Sequence, residues 1–237
     1  MRAPGHDFEV AAGLLRAEGL IGSSADIVRT TYCVDSEQMC NTVKVALNTR
    51  PTLEHLDAFR VASSACGKAS LNALEAKGLT RIDSDLRLET EVLYALPDRL
   101  RSAQGVFDRT GGLHAAAAFT MDGKLLCIRE VVGRHNAVDK LIGWSALRSV
   151  SLEPAVVLVS GRVAFEIAQK CVLARIPMLC AIVAPSSLVV QMAVRYDLTL
   201  IGFLRCEITN VYSAPKRVSK LVAQVFFRLS CRKRRKI

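Results

Sequence analysis

Four short segments combine residue types that could do chemistry. The first is Ser63-Ser64-Ala65-Cys66-Gly67-Lys68. A cysteine among small residues, followed by Gly and Lys just ahead of a predicted helix, is placed to ionise. A helix N-terminus and a nearby cation both favour the thiolate, which is the reactive form. An ordinary loop cysteine is the plainer reading. The second is Gly133-Arg134-His135-Asn136, between a predicted strand and a predicted helix. Free backbone N–H groups and the Arg and His donors would converge there on an anion. A helix cap by Asn136 with a solvated Arg134 is the alternative. The third, Ser160-Gly161-Arg162, repeats the arrangement after the next strand. Two such turns in one sheet normally fall at the same edge, where open α/β sheets bind ligands. The fourth is Gly202-Phe203-Leu204-Arg205, followed by Thr209-Asn210-Val211-Tyr212. An arginine leaving a strand could reach the same ligand; taken alone, the segment reads as a surface turn.

Several chemistries lack their residues. No His-x-Glu with a following Pro-Cys-x-x-Cys is present, as a zinc deaminase needs. The Gly-x-Ser-x-Gly elbow and the phosphate-binding P-loop are missing too. Eight cysteines stand at 33, 40, 66, 127, 171, 180, 206 and 231, and none forms a Cys-x-x-Cys pair. That removes the zinc-ribbon reading. Several lie in apolar runs and read as small core residues. The start of the chain shows no secretory leader pattern, so a reducing cytoplasm with free thiols is expected.

The elements that must position these segments follow from periodicity. Asp7 to Glu18 reads as an amphipathic helix with Phe8, Ala11, Ala12 and Leu15 inward. Ile27–Val34 and Thr42–Leu47 read as strands, Ser70–Lys77 as a short helix, and 88–107 as helical with an interruption near Pro97. Asp122-Gly123 between two apolar runs marks a hairpin. Helices over 137–147, 163–175 and 187–196 then alternate with strands over 155–159, 178–183 and 198–204. That alternation means an α/β layered domain. The uncharged run from Ile176 to Val194 holds Pro177 and Pro185. A strand, a turn and a helix start explain it better than a bilayer span, which wants about 20 apolar residues.

The net charge of +10 is local. Residues 216–237 carry nine Lys or Arg and no acid, which leaves 23 basic and 22 acidic residues elsewhere. A near-neutral body argues against a nucleic-acid partner. In the tail, Val218, Leu221, Val222, Val225, Phe226 and Leu229 form one helical stripe. It suits either an anionic membrane surface or packing on the body. The expected domains are 1–65, an incomplete α+β unit; 66–215, the α/β ligand-binding domain; and 216–237, the basic tail.

Longer matches carry a resemblance. Phe107 to Ala116, Arg129-Glu130 and Gly133 to Lys140 are similar to the formate dehydrogenase accessory sulfurtransferase family, FdhD. Ser160-Gly161-Arg162 with Phe165-Glu166, Ala184 to Leu188, Gly202 to Arg205 and Asn210-Val211-Tyr212 follow in the family's order. The resemblance spans about residues 1–213. It implies a sulfur carrier that takes persulfide sulfur from a cysteine desulfurase. The recipient is the molybdenum bis-guanine-dinucleotide cofactor, bound as a client and destined for formate dehydrogenase. It also implies a mixed-sheet, cytidine-deaminase-like C-terminal domain without zinc, a smaller N-terminal domain, and a homodimer.

On this reading Cys66 is catalytic. Arg134, His135, Ser160 and Arg162 bind the cofactor together with Phe203, Leu204, Arg205, Cys206, Glu207 and Ile208; no metal is held. The chain departs from the family at several places. Ser63 stands where the family's first loop cysteine belongs, and a hydroxyl cannot carry sulfane sulfur. Val131 replaces an Asp, removing a charge expected beside the site. A segment before Met1 is expected to be missing, and Lys216 to Ile237 to be an addition. A cofactor-binding chaperone without sulfur transfer, or a non-functional copy, are the alternatives.

Overall fold

The computed structural model describes residues 5–33, 42–48, 79–205 and 208–219. Its centre is a six-stranded mixed sheet. The elements in chain order are α1 (Asp7–Ala17), β1 (Ile27–Tyr32), β2 (Val43–Leu47), β3 (Leu88–Glu89), α2 (Thr90–Ala103) and α3 (Gly105–Thr110). Then come β4 (His114–Phe119), β5 (Leu125–Val131), α4 (Arg134–Leu147), β6 (Val156–Val159) and α5 (Phe165–Leu173). The last are β7 (Met178–Ala181), α6 (Ser187–Tyr196), β8 (Thr199–Arg205), β9 (Ile208–Ser213) and β10 (Val218–Ser219). The large sheet runs β5-β4-β6-β7-β8-β9. β4 is antiparallel to both β5 and β6, β6 to β8 are parallel, and β9 returns antiparallel.

Strand periodicity splits the core into two layers. Ala116, Ala118, Val157, Val159, Leu179 and Ala181 face α4, α5 and α6. The alternate residues Ala115, Ala117, Val156, Leu158, Met178 and Cys180 face Leu93, Leu96 and Leu100 of α2. Successive side chains of a strand point to opposite faces, so both faces must be apolar when helices cover both. The run Ala115 to Ala118 supplies four small residues, which lets the helices approach the sheet closely.

α4 is buried from Ala137 to Trp144 because it lies between the sheet and α1. α1 buries a face turned partly away from the one its apolar pattern suggests. Ala12 is buried as expected, but Phe8, Ala11 and Leu15 are only partly buried, while Asp7, Glu9, Gly13 and Ala17 are buried. Two interactions explain this. Glu9 accepts from Arg129 of β5 through Nε (2.5 Å) and Nη2 (2.6 Å), a bidentate pair. Gly13 lets the α4 backbone come within contact distance.

Pro97 does not interrupt its helix. α2 continues through it to Ala103 and breaks at Gln104. An interior proline costs roughly 3 kcal/mol. Burying Leu93, Leu96 and Leu100, at about 2 kcal/mol each, offsets that cost. Residues 209–212 form most of an edge strand, β9, rather than a turn. Val218 is not part of a helical stripe: it sits in β10, buried, paired in parallel with Leu88. Arg217 just before it is 1% exposed. The packed chain thus continues past the expected end of the α/β domain. The expected helix over 70–77 and the tail from residue 220 lie outside the described residues, as does the boundary at 65/66.

Candidate functional site at the carboxyl edge of the sheet

Strand direction decides where the segments meet. β5, β6, β7 and β8 all run the same way, so their C-terminal ends share one edge. The antiparallel strands β4 and β9 begin at that edge, with His114 and Ile208. The edge therefore gathers His114, the turn 132–136, the turn 160–162, the loop 182–186 and residues 203–205.

Hydrogen bonds stitch these loops to one another. Ser160 N–H donates to Ala115 O (3.0 Å), and the Ser160 hydroxyl accepts from Ala115 N–H (2.9 Å). Val163 N–H donates to Ala184 O, and Ser186 N–H donates to Val163 O. Phe203 N–H donates to Val183 O, and Arg205 Nε donates to Ile182 O (3.2 Å). The turns at 133–136 and 160–162 are direct neighbours. A Cβ placed on Gly161 would lie 3.7 Å from Arg134 Cβ and 3.2 Å from His114 Nδ1.

Arg134 and His135 open α4 after the extended residue Gly133. His135 Nε2 lies 3.6 Å from the Glu166 carboxylate, at the start of α5. Burial and the adjacent Arg134 hold its pKa below the ordinary histidine value, and Glu166 opposes them only partly. The buried Nε atoms of Arg134 and Nε2 of His135 have no hydrogen-bond partner among the described residues. A buried arginine donor at a helix start without an acceptor suits an anionic ligand, with His135 held beside it by Glu166.

Phe203 is unusual in two respects. Its φ is +54°, in the left-handed region, and it is 41% exposed. Such a backbone is strained for an aromatic residue. It produces the register shift between Gly202 and Arg205. Gly202 permits the shift, since a Cβ there would meet Pro185 Cδ at 2.8 Å and Tyr212 Cε2 at 3.0 Å. An exposed aromatic face thus stands at the end of β8.

The sequence-derived residues fare unequally. Arg134, His135, Ser160, Arg162, Phe203 and Arg205 all lie along this edge, with Arg162 and Arg205 exposed. Leu204 does not present its side chain there: it is fully buried in the α2 layer, so only its backbone is available. Val131, the last residue of β5, is buried beneath α4 and pairs with His114 at this edge, so an apolar side chain stands where the family resemblance led one to expect a charge. Cys66, Cys206 and Glu207 lie outside the described residues, as does the side chain of Ile208. Glu166, not singled out as a ligand residue, joins the cluster through His135; its place at a helix start after Ser160-Gly161-Arg162 was the available signal. Two shallow pockets, of about 300 and 270 Å³, lie at the other end of the strands. They share Ser151 and Glu153 ahead of β6 and are not part of this edge.

Three described cysteines, at 127, 171 and 180, are buried free thiols, and Cys33 is buried as well. Burial pushes Cys127 up to about 11 and Cys171 up to about 12, and raises Cys180 as well. Such thiols stay protonated and unreactive near neutral pH.

The FdhD/NarQ family model matches residues 1–219. This chain belongs to that family. It is 50% identical over 234 residues to the sulfur carrier protein FdhD of Streptomyces avermitilis, covering 92% of this chain and 82% of that protein. It is 41% identical over 221 residues to the FdhD of Sulfolobus acidocaldarius, with 92% and 83% covered. Among solved structures, it is similar to one assigned as a formate dehydrogenase accessory protein of Desulfotalea psychrophila. The TM-score is 0.71 at 25% identity, over 92% of this chain and 82% of that one. The mixed α/β architecture of this FdhD/NarQ chain is therefore shared with that 25%-identical protein. The family match also runs through β10, in keeping with the burial of Arg217 and Val218.

Proposed function

We propose that this FdhD/NarQ chain is a sulfur carrier for formate dehydrogenase that receives persulfide sulfur at Cys66. Its client, the molybdenum bis-guanine-dinucleotide cofactor, docks at the carboxyl edge of the sheet. The observation carrying the docking site is that edge itself. Two turns rich in donors, at 133–136 and 160–162, touch each other, and an exposed aromatic residue stands on the same edge. Arg134, His135 and Arg162 supply the positive side for phosphates. Phe203 supplies a flat face for a base. Arg205 stands on the same rim, the proposal assigns cofactor contacts to Cys206, Glu207 and Ile208 as well, and Ser160 holds the turn in shape through Ala115.

Sulfur loading follows ordinary thiol chemistry. The Cys66 thiolate attacks the outer sulfur of a persulfide on the desulfurase. A new S–S bond forms on Cys66, the old one breaks, and the electron pair leaves on the desulfurase thiolate. Burial rules out Cys127, Cys171 and Cys180 as the attacking thiol, which supports a cysteine elsewhere in the chain. The partners in this proposal are a cysteine desulfurase, formate dehydrogenase and a second copy of the chain, all in the cytoplasm. No helix among the described residues is long and apolar enough to cross a membrane. A cytidine-deaminase-like layering is part of the same proposal. β4, second from the edge and antiparallel to both β5 and β6, with helices on both faces of the sheet, supports it.

Calorimetry with GDP tests the docking edge. The unaltered chain should bind GDP, and Arg134→Ala and Arg162→Ala should each weaken binding at least tenfold. Binding that is unchanged in both variants rejects the site.

A further inference from the structure

We propose that His114 is an additional ligand-contacting residue of this edge, donating an imidazole N–H to the phosphates of a nucleoside diphosphate, and that Gly161 exists to make room for it. The proposal rests on the docking edge described above.

His114 opens β4 and pairs with Val131 at the end of β5. Because β4 is antiparallel to its neighbours, its first residue lies where β5 and β6 finish. The imidazole packs on Gly161, whose missing Cβ would sit 3.2 Å from Nδ1 and 3.5 Å from Cε1. Gly161 is buried, and its φ is not in the left-handed region. Its backbone conformation is therefore open to any residue, and only the space demands glycine. That space keeps the His114 ring beside the stem of Arg134, 3.7 Å from the Gly161 Cβ position.

The neighbouring Ser160 Oγ accepts from Ala115 N–H, which fixes the hydroxyl and leaves its own O–H free to point at the same anion. The His114 ring, half-buried, makes no hydrogen bond among the described residues, so its N–H is available where the two turns meet. A ring N–H that shares this junction with the stem of an arginine is matched by an anionic oxygen.

The test is GDP titration of the full chain by calorimetry, with Arg134→Ala as the reference. His114→Ala should weaken binding about tenfold, the scale of one hydrogen bond to a charged group. His114→Gln, which keeps an N–H donor, should recover part of that loss. Gly161→Ala should displace the ring and weaken binding similarly. The double variant should then be no weaker than the worse single one, because both remove one contact. In the unaltered protein, the His114 ring resonances should shift when GDP is added; this readout does not depend on any variant folding. If Arg134→Ala weakens binding while His114→Ala binds as the unaltered chain does, or if the ring resonances stay put, the proposal is overturned and the docking edge stands. If Arg134→Ala also binds normally, the docking edge fails and this proposal fails with it.

Discussion

Gly143 of α4 lies directly against Gly13 of α1, with no room for a side chain between the helices. A Cβ on Gly143 would fall 2.8 Å from the Gly13 amide nitrogen and inside the Glu9 carbonyl. A Cβ on Gly13 would collide in turn with the Asp139 carbonyl. Alanine is the better helix former by about 1 kcal/mol. Here the crowding outweighs that gain, since the helices must separate and loosen the Glu9–Arg129 pair. Gly143→Ala should lower stability by about 2–3 kcal/mol, which is roughly 5–10 °C in Tm for a chain of this size. A melting curve with unchanged or higher Tm would contradict the packing described.

Arg217 is a second anchor. Its guanidinium donates to the carbonyls of Ser84, Asp197 and Ile82, to Thr199 Oγ1 and to the Asp197 carboxylate. Arg217→Met removes the donor from all of these acceptors and leaves the Asp197 carboxylate to Lys216, at a cost of about 3 kcal/mol. Arg217→Lys should recover little, because one ammonium cannot replace a planar fork with five donors. Urea unfolding followed by circular dichroism measures both; a loss under 1 kcal/mol for Arg217→Met would count against the anchor.

These two anchors show what could be read from the chain and what could not. The Asp122-Gly123 hairpin, the buried strands β6 and β7 and the helix from Ser187 to Tyr196 were evident from periodicity and turn chemistry, which act locally. The inward face of α1 was not. It is set by Arg129, 120 residues away, and by a glycine contact that has no hydrophobic signature. Pro97 looked like a break because the three leucines that hold α2 on the sheet count only once the sheet exists. The role of 217–219 was hidden for the same reason: a basic residue in a basic run reads as solvated until its acceptors, all more than a dozen residues away, are in place. For the site, the turns at 133–136 and 160–162 were legible as strand-to-helix junctions, whereas the contact of Gly161 with His114 needed β4 to run antiparallel.

His135 should make nucleotide binding depend on pH. Its folded pKa lies below the ordinary value, first through burial and then through Arg134. Without ligand it is therefore neutral at pH 7. As pH falls through the ordinary histidine value, the unfolded chain takes a proton that the folded chain resists, so this residue's effect on stability turns unfavourable at acid pH. A bound phosphate favours the imidazolium and raises the pKa. Binding then takes up a proton, and GDP affinity should rise as pH is lowered across about 8 to 5. NMR titration of His135 with and without GDP measures this; a midpoint that does not move upward on binding would refute the coupling.

Phe203 should contribute through its exposed face rather than through packing. Phe203→Ala should weaken GDP binding by about 1–3 kcal/mol, the scale of one base on one aromatic ring. It should change Tm little, because the ring is 41% exposed. Fluorescence-free calorimetry and a melting curve separate the two. A large loss of Tm with unaltered GDP affinity would give Phe203 a structural role instead.

The carriage of sulfur is tested most directly by peptide mass spectrometry after incubating the chain with a cysteine desulfurase and cysteine. The account predicts one added sulfur atom, located on Cys66 and removed by a thiol reductant. Sulfur found only on other cysteines, or on none, would contradict it.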